Sequence, residues 1–312
     1  MGATLERIAS ALVVFAYDRP GHLERCLTSL QANLDSAAIR TFIYIDGPKE
    51  LEDSRNHDEV FEIAKKFKER NPNSEIIASP INLGLRTAII TATTDLFLTY
   101  EALIIVEDDL ILAQDFLSFM LSCIKKFKND KTISSISGFA ESRFPPFVAT
   151  DLIAARRQSC WGWATWRDRW NAITWDTPLH DDGLIKSDLI NLNSIGWDLA
   201  KIYGDQISRK ISSWAITFDA HAARLGLRSL QPRYTLVQNF GMDGSGTHFT
   251  AGSSLNKKFK TWDVNRNLRT DTYTISKTYD FWLKLKHSRV QNKFQKLLSF
   301  AKIRLQIDRN KH

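Results

Sequence analysis

The chain has 312 residues, 43% hydrophobic and 25% charged, the make-up of a soluble globular protein with one large domain or two moderate ones. No run approaches the roughly 18 apolar residues that a membrane span needs. Cys26, Cys123 and Cys160 are scattered, which argues for a reducing compartment and against a disulfide framework or a zinc site. The net charge of +7 is uneven: residues 251–312 hold 15 Lys/Arg and 4 Asp/Glu, and the remainder, with 27 basic and 31 acidic residues, is net acidic.

Residues 1–10 include Glu6 and Arg7 and lack a signal-peptide core, so a cytoplasmic protein is expected. Ala11 to Tyr17 is an apolar run of strand length, stopped by Asp18-Arg19-Pro20-Gly21. A helix with Leu23, Leu27 and Leu30 on one face follows. Thr41–Ile45 reads as a second strand ended by Asp46-Gly47-Pro48, residues 56–70 as an amphipathic helix, and Ser74–Ala78 as a third strand. Asn82-Leu-Gly-Leu-Arg86 opens a helix running to about Tyr100. Leu103 to Val106 is a fourth strand, apolar throughout as in a sheet buried on both faces. A helix over 113–127 and a strand over 132–138 complete the first half. Strands alternating with helices imply a parallel sheet with right-handed crossovers.

Three carboxylates, Glu107, Asp108 and Asp109, arrive together at the end of the fourth strand. Adjacent acids repel, and burying them is costly unless a cation is present. Ligands of open α/β sheets bind off the carboxyl ends of strands, so a divalent ion with oxygen ligands suits this position. A helix cap is the plainer alternative. No Gly-rich Lys-Ser/Thr phosphate loop is present, and no G-x-G-x-x-G follows the first strand.

The second half differs in composition. Residues 156–176 hold five of the nine tryptophans, among them Trp161 and Trp163 around Gly162. Flat aromatic faces stack on sugars and bases, and glycine permits close approach; a hydrophobic plug is the alternative. A helix over 212–225 carries Trp214, Phe218 and Leu225 on one face, with short strands over 227–230 and 234–238. A glycine-rich loop over 239–248 ends in His248, which is either a metal ligand or a surface residue.

Strand-Glu107-Asp108-Asp109 followed by Leu110 to Phe116 resembles the metal-motif region of GT-A fold glycosyltransferases, most of all the N-acetylglucosaminyltransferase I group and related bacterial sugar transferases. Asp46-Gly47 looks like that family's uridine-contacting acid, Arg86 like its helix-opening arginine, and Trp161-Gly162-Trp163 like its acceptor segment, with Trp214 nearby. Gly226 and Pro232 stand at the family's spacing, and the likeness covers roughly residues 10–250. It implies Mn²⁺ or Mg²⁺ bridging the diphosphate of a nucleoside-diphosphate sugar, held directly by Asp109, with His248 a further candidate ligand. It also implies Asp108 and Glu107 near the ribose or donor sugar, and Tyr17, Arg19, Asp46 and Arg86 near the nucleotide. Where an inverting relative carries its general base, at the start of the 212–225 helix, this chain has Ala215 or a neighbour. Asp219, one turn later on the same face, is the first substitute and Asp205 the second.

The expected fold is therefore α/β of GT-A type: a nucleotide-sugar half over 1–140, an α+β acceptor half over 141–262, and a basic amphipathic tail over 263–312. From Tyr279 to Gln306 apolar residues fall on one helical face with Lys and Arg beside them, a profile suited to an anionic membrane surface. The expected activity is transfer of a hexosyl or N-acetylhexosaminyl group from a nucleoside-diphosphate sugar, UDP by resemblance, to a glycan or lipid-linked acceptor in cell-surface polysaccharide biosynthesis, at the inner face of the plasma membrane. A non-catalytic glycan-binding domain and a sugar-nucleotide nucleotidyltransferase are the alternatives. The acidic catalytic half argues against nucleic acid as a partner.

Overall fold

The computed structural model describes residues 9–33, 39–49, 54–176, 181–241 and 268–288. Four parallel strands form the first half of one sheet: β1 (Ser10–Ala16), β2 (Arg40–Ile45), β3 (Ser74–Ala78) and β4 (Ala102–Glu107). Their crossovers carry the helices α1 (Pro20–Gln31), α2 (Ser54–Arg70) and α3 (Gly84–Leu96). β1 and β4 are apolar nearly throughout because both of their faces are covered. Leu12, Val14, Ile104 and Val106 face a core shared with α1 and the helix α4 (Phe116–Phe127). Val13, Leu103 and Ile105 face α3 and a tryptophan-rich cluster.

The sheet continues into the second half without a break. β6 (Ile133–Ser137), β7 (Leu152–Ala155), β8 (Trp163–Trp166) and β9 (Arg228–Pro232) extend it in the order β3-β2-β1-β4-β8-β6-β9-β7. β8 lies antiparallel between β4 and β6, and β7 is antiparallel at the edge; the other six strands run parallel. This is a mixed α/β fold whose mostly parallel sheet is flanked by helices. The two halves expected from the sequence thus share one hydrogen-bonded sheet.

Three helices cover the second half: α6 (Asp182–Ile195), α7 (Trp197–Ile207) and α8 (Trp214–Arg224), with the short α5 (Arg167–Asn171) after β8. A two-stranded ribbon pairs β5 (Leu110–Leu112) with β10 (Val237–Asn239), folding the chain back over the end of β4. α9 (Lys277–Lys286) opens the basic tail. Its Tyr279 and Leu283 are buried against Phe144, Val148 and Ile153, and the Tyr279 hydroxyl donates to Gln231 Oε1 at 2.8 Å. The start of the expected tail helix is thus docked on its own domain, and 289–312 lie outside the described residues. Among the described residues no helix is long and apolar enough to cross a membrane.

Candidate functional site

The side-chain alternation of a strand decides where the three acids go. Glu107 continues the face of Leu103 and Ile105, toward the tryptophans; Asp108 continues the face of Ile104 and Val106, toward α1. Arg19, the residue that starts α1 ahead of Pro20, reaches across from the end of β1. It donates to Asp108 through Nη2, and its Nη1 lies 3.3 Å from Asp109 Oδ2. The β5–β10 ribbon closes the other side: Asn239 Nδ2 donates to Asp109 Oδ1 at 3.3 Å, and the Phe240 amide donates to the Asp109 carbonyl at 2.8 Å. Gly241 packs so tightly that a Cβ there would collide with the Asp109 carboxylate.

One arginine does not neutralise three carboxylates. Burial pushes Glu107 up to about 8, with Asp109 and Asp108 adding to the rise. Burial likewise takes Asp108 up to about 7 against the pull of Arg19. Burial works against the charge of Arg19, yet Asp108 and Asp109 raise its pKa above the ordinary value. This excess of negative charge, on hard oxygen donors, fits a divalent ion such as Mg²⁺ or Mn²⁺. The Asp109 side chain is the more accessible donor, 12% exposed against 3% for Asp108. Among the described residues no three His, Cys, Asp or Glu side chains converge to cage an ion, so its shell would be completed by ligand and water oxygens. His248 lies outside the described residues.

Asp46, at the end of β2, is buried and fully engaged. Its Oδ1 accepts from the amides of Gly47 at 3.0 Å and Leu83 at 2.9 Å; its Oδ2 accepts from the Gly84 amide at 2.9 Å and Asn82 Nδ2 at 3.2 Å. It fixes the loop that opens α3. Tyr17 stands beside it at the end of β1, its hydroxyl accepting from the Lys49 amide at 3.2 Å.

A cavity of about 320 Å³ opens on the Glu107 side of the sheet, between the segment 135–163 and α7–α8. Its walls hold Trp161, Trp163, Trp214, Ala215, Cys160 and Asp219. Trp163 and Trp214 stack at 5.0 Å and 14°, only 2% and 4% exposed, so they form the wall rather than an open stacking platform. Trp161 is partly exposed and packs edge-on against Phe139. Gly162 makes the turn between the two rings at φ +54°, where a Cβ would also meet Val237 Cγ1 at 2.6 Å. Two buried donors in these walls, Trp163 Nε1 and Gln158 Nε2, have no hydrogen-bond partner among the described residues.

Asp219 lies in the same wall as Ala215, one turn along α8, whose N-terminus is capped by Ser213. Burial pushes Asp219 up to about 7; Asp198 adds to this and Arg157 opposes it. Cys160 joins this cavity to the strand ends. Its thiol is raised by burial and then by the charges of Glu107, Asp219 and Asp109.

Two expected residues stand apart. Asp205 is on the outer side of α7, paired with Lys201 and 3.9 Å from Lys210, and is absent from the cavity walls; its charge serves a surface ion pair. Arg86 extends toward α8, donating to the Ser213 carbonyl at 3.0 Å, Thr217 Oγ1 at 3.3 Å and the Trp175 carbonyl at 2.5 Å. It ties α3 to α8 and does not join the strand-end carboxylates.

Residues not anticipated from the sequence form an ion-pair network that reaches the cavity wall at Arg157 and Glu141. Arg157 donates to Asp198 Oδ1 at 3.1 Å and Oδ2 at 2.6 Å. His287 follows α9 and lies 2.7 Å from Glu141 Oε1 and 3.4 Å from Asp198 Oδ2. The paired arginines 156–157 just before the tryptophan run were the one sequence signal for this network; its acids are scattered over 57 residues of chain.

No protein-family model matches the chain, and no curated protein matches it. Solved structures do. A mannosyltransferase, PcManGT from Pyrobaculum calidifontis in complex with GDP-Man and Mn²⁺, is 13% identical with a TM-score of 0.41 over 70% of each chain. Residues 1–349 of S. aureus TarS are 14% identical with a TM-score of 0.38, covering 58% of this chain and 54% of that one. Against a longer TarS structure the identity is 12% and the TM-score 0.38, with 72% of this chain matching 35% of the other.

Proposed function

We propose that this protein is a metal-dependent glycosyltransferase that takes a sugar from a nucleoside-diphosphate donor, a UDP-sugar by its motif resemblance to the N-acetylglucosaminyltransferase I group. The observation that carries the reading is an adjacency. A carboxylate cluster with excess negative charge ends β4, and a tryptophan-walled cavity containing Asp219 meets it at Cys160. In this reading Asp109 would hold the divalent ion, which when bound neutralises the diphosphate leaving group. Arg19 orients Asp108 and Asp109 and sets the edge of the donor site. Tyr17 and Asp46 shape the nucleotide end, Asp46 by holding the loop 82–84 in place.

The acceptor enters over Trp161, and its hydroxyls meet the unpartnered Trp163 and Gln158 donors. Asp219 takes the proton of the attacking hydroxyl; a carboxylate near pH 7 is matched to that task. Exposed Phe281, Trp282 and Leu285 on α9, followed in 289–312 by seven Lys/Arg against one Asp, support contact with an anionic membrane surface carrying a lipid-linked acceptor. The test is a panel of UDP- and GDP-sugars with Mn²⁺, read as hydrolysis or transfer. Turnover of one donor that Asp109→Ala abolishes is the expected result. Absence of turnover together with nucleotide-independent glycan binding would reassign the chain as a binding domain.

A further inference from the structure

A second cavity, of about 480 Å³, shares Arg157 with the first. Half of its ten lining residues are cationic: Arg156, Arg157, Arg228, Lys277 and Lys284, against one carboxylate, Asp280. The cations come from three separate parts of the chain: the segment after β7, the start of β9, and α9. Like charges gathered in one concavity repel unless an anion joins them.

The arginines are held in place for such a ligand. Arg156 Nη2 donates to Ser194 Oγ at 2.8 Å. Arg228 Nη1 donates to Asp280 Oδ2 at 2.9 Å and to the Ala154 carbonyl at 2.8 Å. Among the described residues, Nε and Nη1 of Arg156 and Nε and Nη2 of Arg228 meet no acceptor, and no carboxylate pairs with Lys277 or Lys284. Planar guanidinium groups with free N–H edges match phosphoryl oxygens in pairs. Phe281, 57% exposed, stands at the rim and gives the concavity one apolar border.

We infer that this basic cavity binds a phosphoryl group carried by the acceptor, seating it beside the tryptophan-walled cavity where the acceptor sugar reacts. The inference rests on reading that neighbouring cavity as an acceptor site. A diphosphate suits the charge count better than a carboxylate: with Arg157 paired to Asp198 and Arg228 to Asp280, the three cations Arg156, Lys277 and Lys284 leave room for more than one negative charge.

The test is calorimetric titration of the full chain with inorganic pyrophosphate in EDTA, where no metal is present to hold a diphosphate at Asp109. Saturable one-to-one binding is expected, weakened at least tenfold by Lys277→Glu/Lys284→Glu, two exposed positions whose change leaves the melting temperature without anion unaltered. Arg156→Gln gives a second, milder loss. Geranyl diphosphate as a parallel probe separates the sources: tighter binding than pyrophosphate, removed by Phe281→Ser, assigns a lipid-linked acceptor, and equal binding assigns a soluble phosphorylated one. No saturable binding, or a double variant within twofold of wild type, overturns the inference. Asp109→Ala keeps this binding, and a wild-type protein that binds the anion but turns over no donor would count against the transferase reading alone.

Discussion

Arg19 Nη1 and Asp109 Oδ2 lie 3.3 Å apart, at the long end of a hydrogen bond, and the other oxygen of Asp109 meets Asn239 at 3.3 Å. The carboxylate is oriented but not saturated, which leaves it able to take a cation. Asp109→Ala should therefore abolish the rise in melting temperature given by UDP plus Mn²⁺, an effect on the order of 2.7 kcal/mol at a hundredfold excess over Kd. Its melting temperature without ligand should stay close to wild type, since removing one acid also eases the burial of Glu107. Differential scanning fluorimetry reads both. A variant that keeps the full metal-dependent shift would remove Asp109 from the site.

Asp219 acts as a base only when ionised, and burial has lifted it to about 7. The rate kcat/KM should fall about tenfold per pH unit below that value and level off above it. Asp219→Asn should cost on the order of 10²–10⁴ in kcat and erase the acid limb. Arg157 opposes the rise in Asp219, so Arg157→Met should move the bend to higher pH. A pH profile of Asp219→Asn identical in shape to wild type would assign the base elsewhere.

Much of this arrangement was legible in residue order. β3 begins and ends at Ser74 and Ala78 as read from the sequence, and β1, β2 and β4 agree to within a residue or two, because apolar runs bounded by turn residues have few alternatives. The carboxylates at the end of β4 were found for the same reason. β8 was missed because Trp163-Ala-Thr-Trp166 carries no periodicity of its own; it becomes a strand only between β4 and β6. α6 and α7 were missed because their apolar residues serve one another and α8 rather than the central sheet. Asp205 and Asp219 look alike as letters. Lys201 and Lys210 around the first, and the buried wall around the second, are what separate them.

Asp46→Ala should be among the more destabilising single changes in the nucleotide half. It removes the acceptor for three backbone amides and leaves them without that partner, while the Asn82 side chain keeps only its bond to the Gly47 carbonyl. Losing a helix-end cap costs about 1 kcal/mol and each stranded donor about 1–3 kcal/mol, partly offset by water entry, so a loss of roughly 2–4 kcal/mol is expected. Urea unfolding followed by circular dichroism measures it. A loss below about 1 kcal/mol would mean that the 82–84 loop reforms its contacts without the carboxylate.

His287 gives the docking of α9 a pH dependence of defined sign. Burial lowers its pKa, but the hydrogen bonds it donates to Asp198 and Glu141 outweigh this and raise it above 6.5. Its contribution is therefore fully present below the unfolded value and is lost as pH climbs through the raised folded one. Glu141 is pulled down to about 2 and Asp198 is lowered as well, chiefly by their bonds to His287 and by Lys286 and Arg157, against the cost of burial. Their shares are present above the ordinary carboxylate range and vanish as pH falls through it. The network is thus strongest from the upper edge of that range to about 6.5. His287→Gln, neutral at every pH, should lower stability at pH 6 and converge on wild type as pH rises past the folded histidine value. Buried Glu107, Asp108 and Asp219 also weaken the fold as pH rises, but they do so in both proteins and cancel in the difference. Urea midpoints at half-unit steps from pH 5.5 to 9 test this; a wild-type-minus-variant difference that stays constant over the range would show that His287 holds α9 by packing alone.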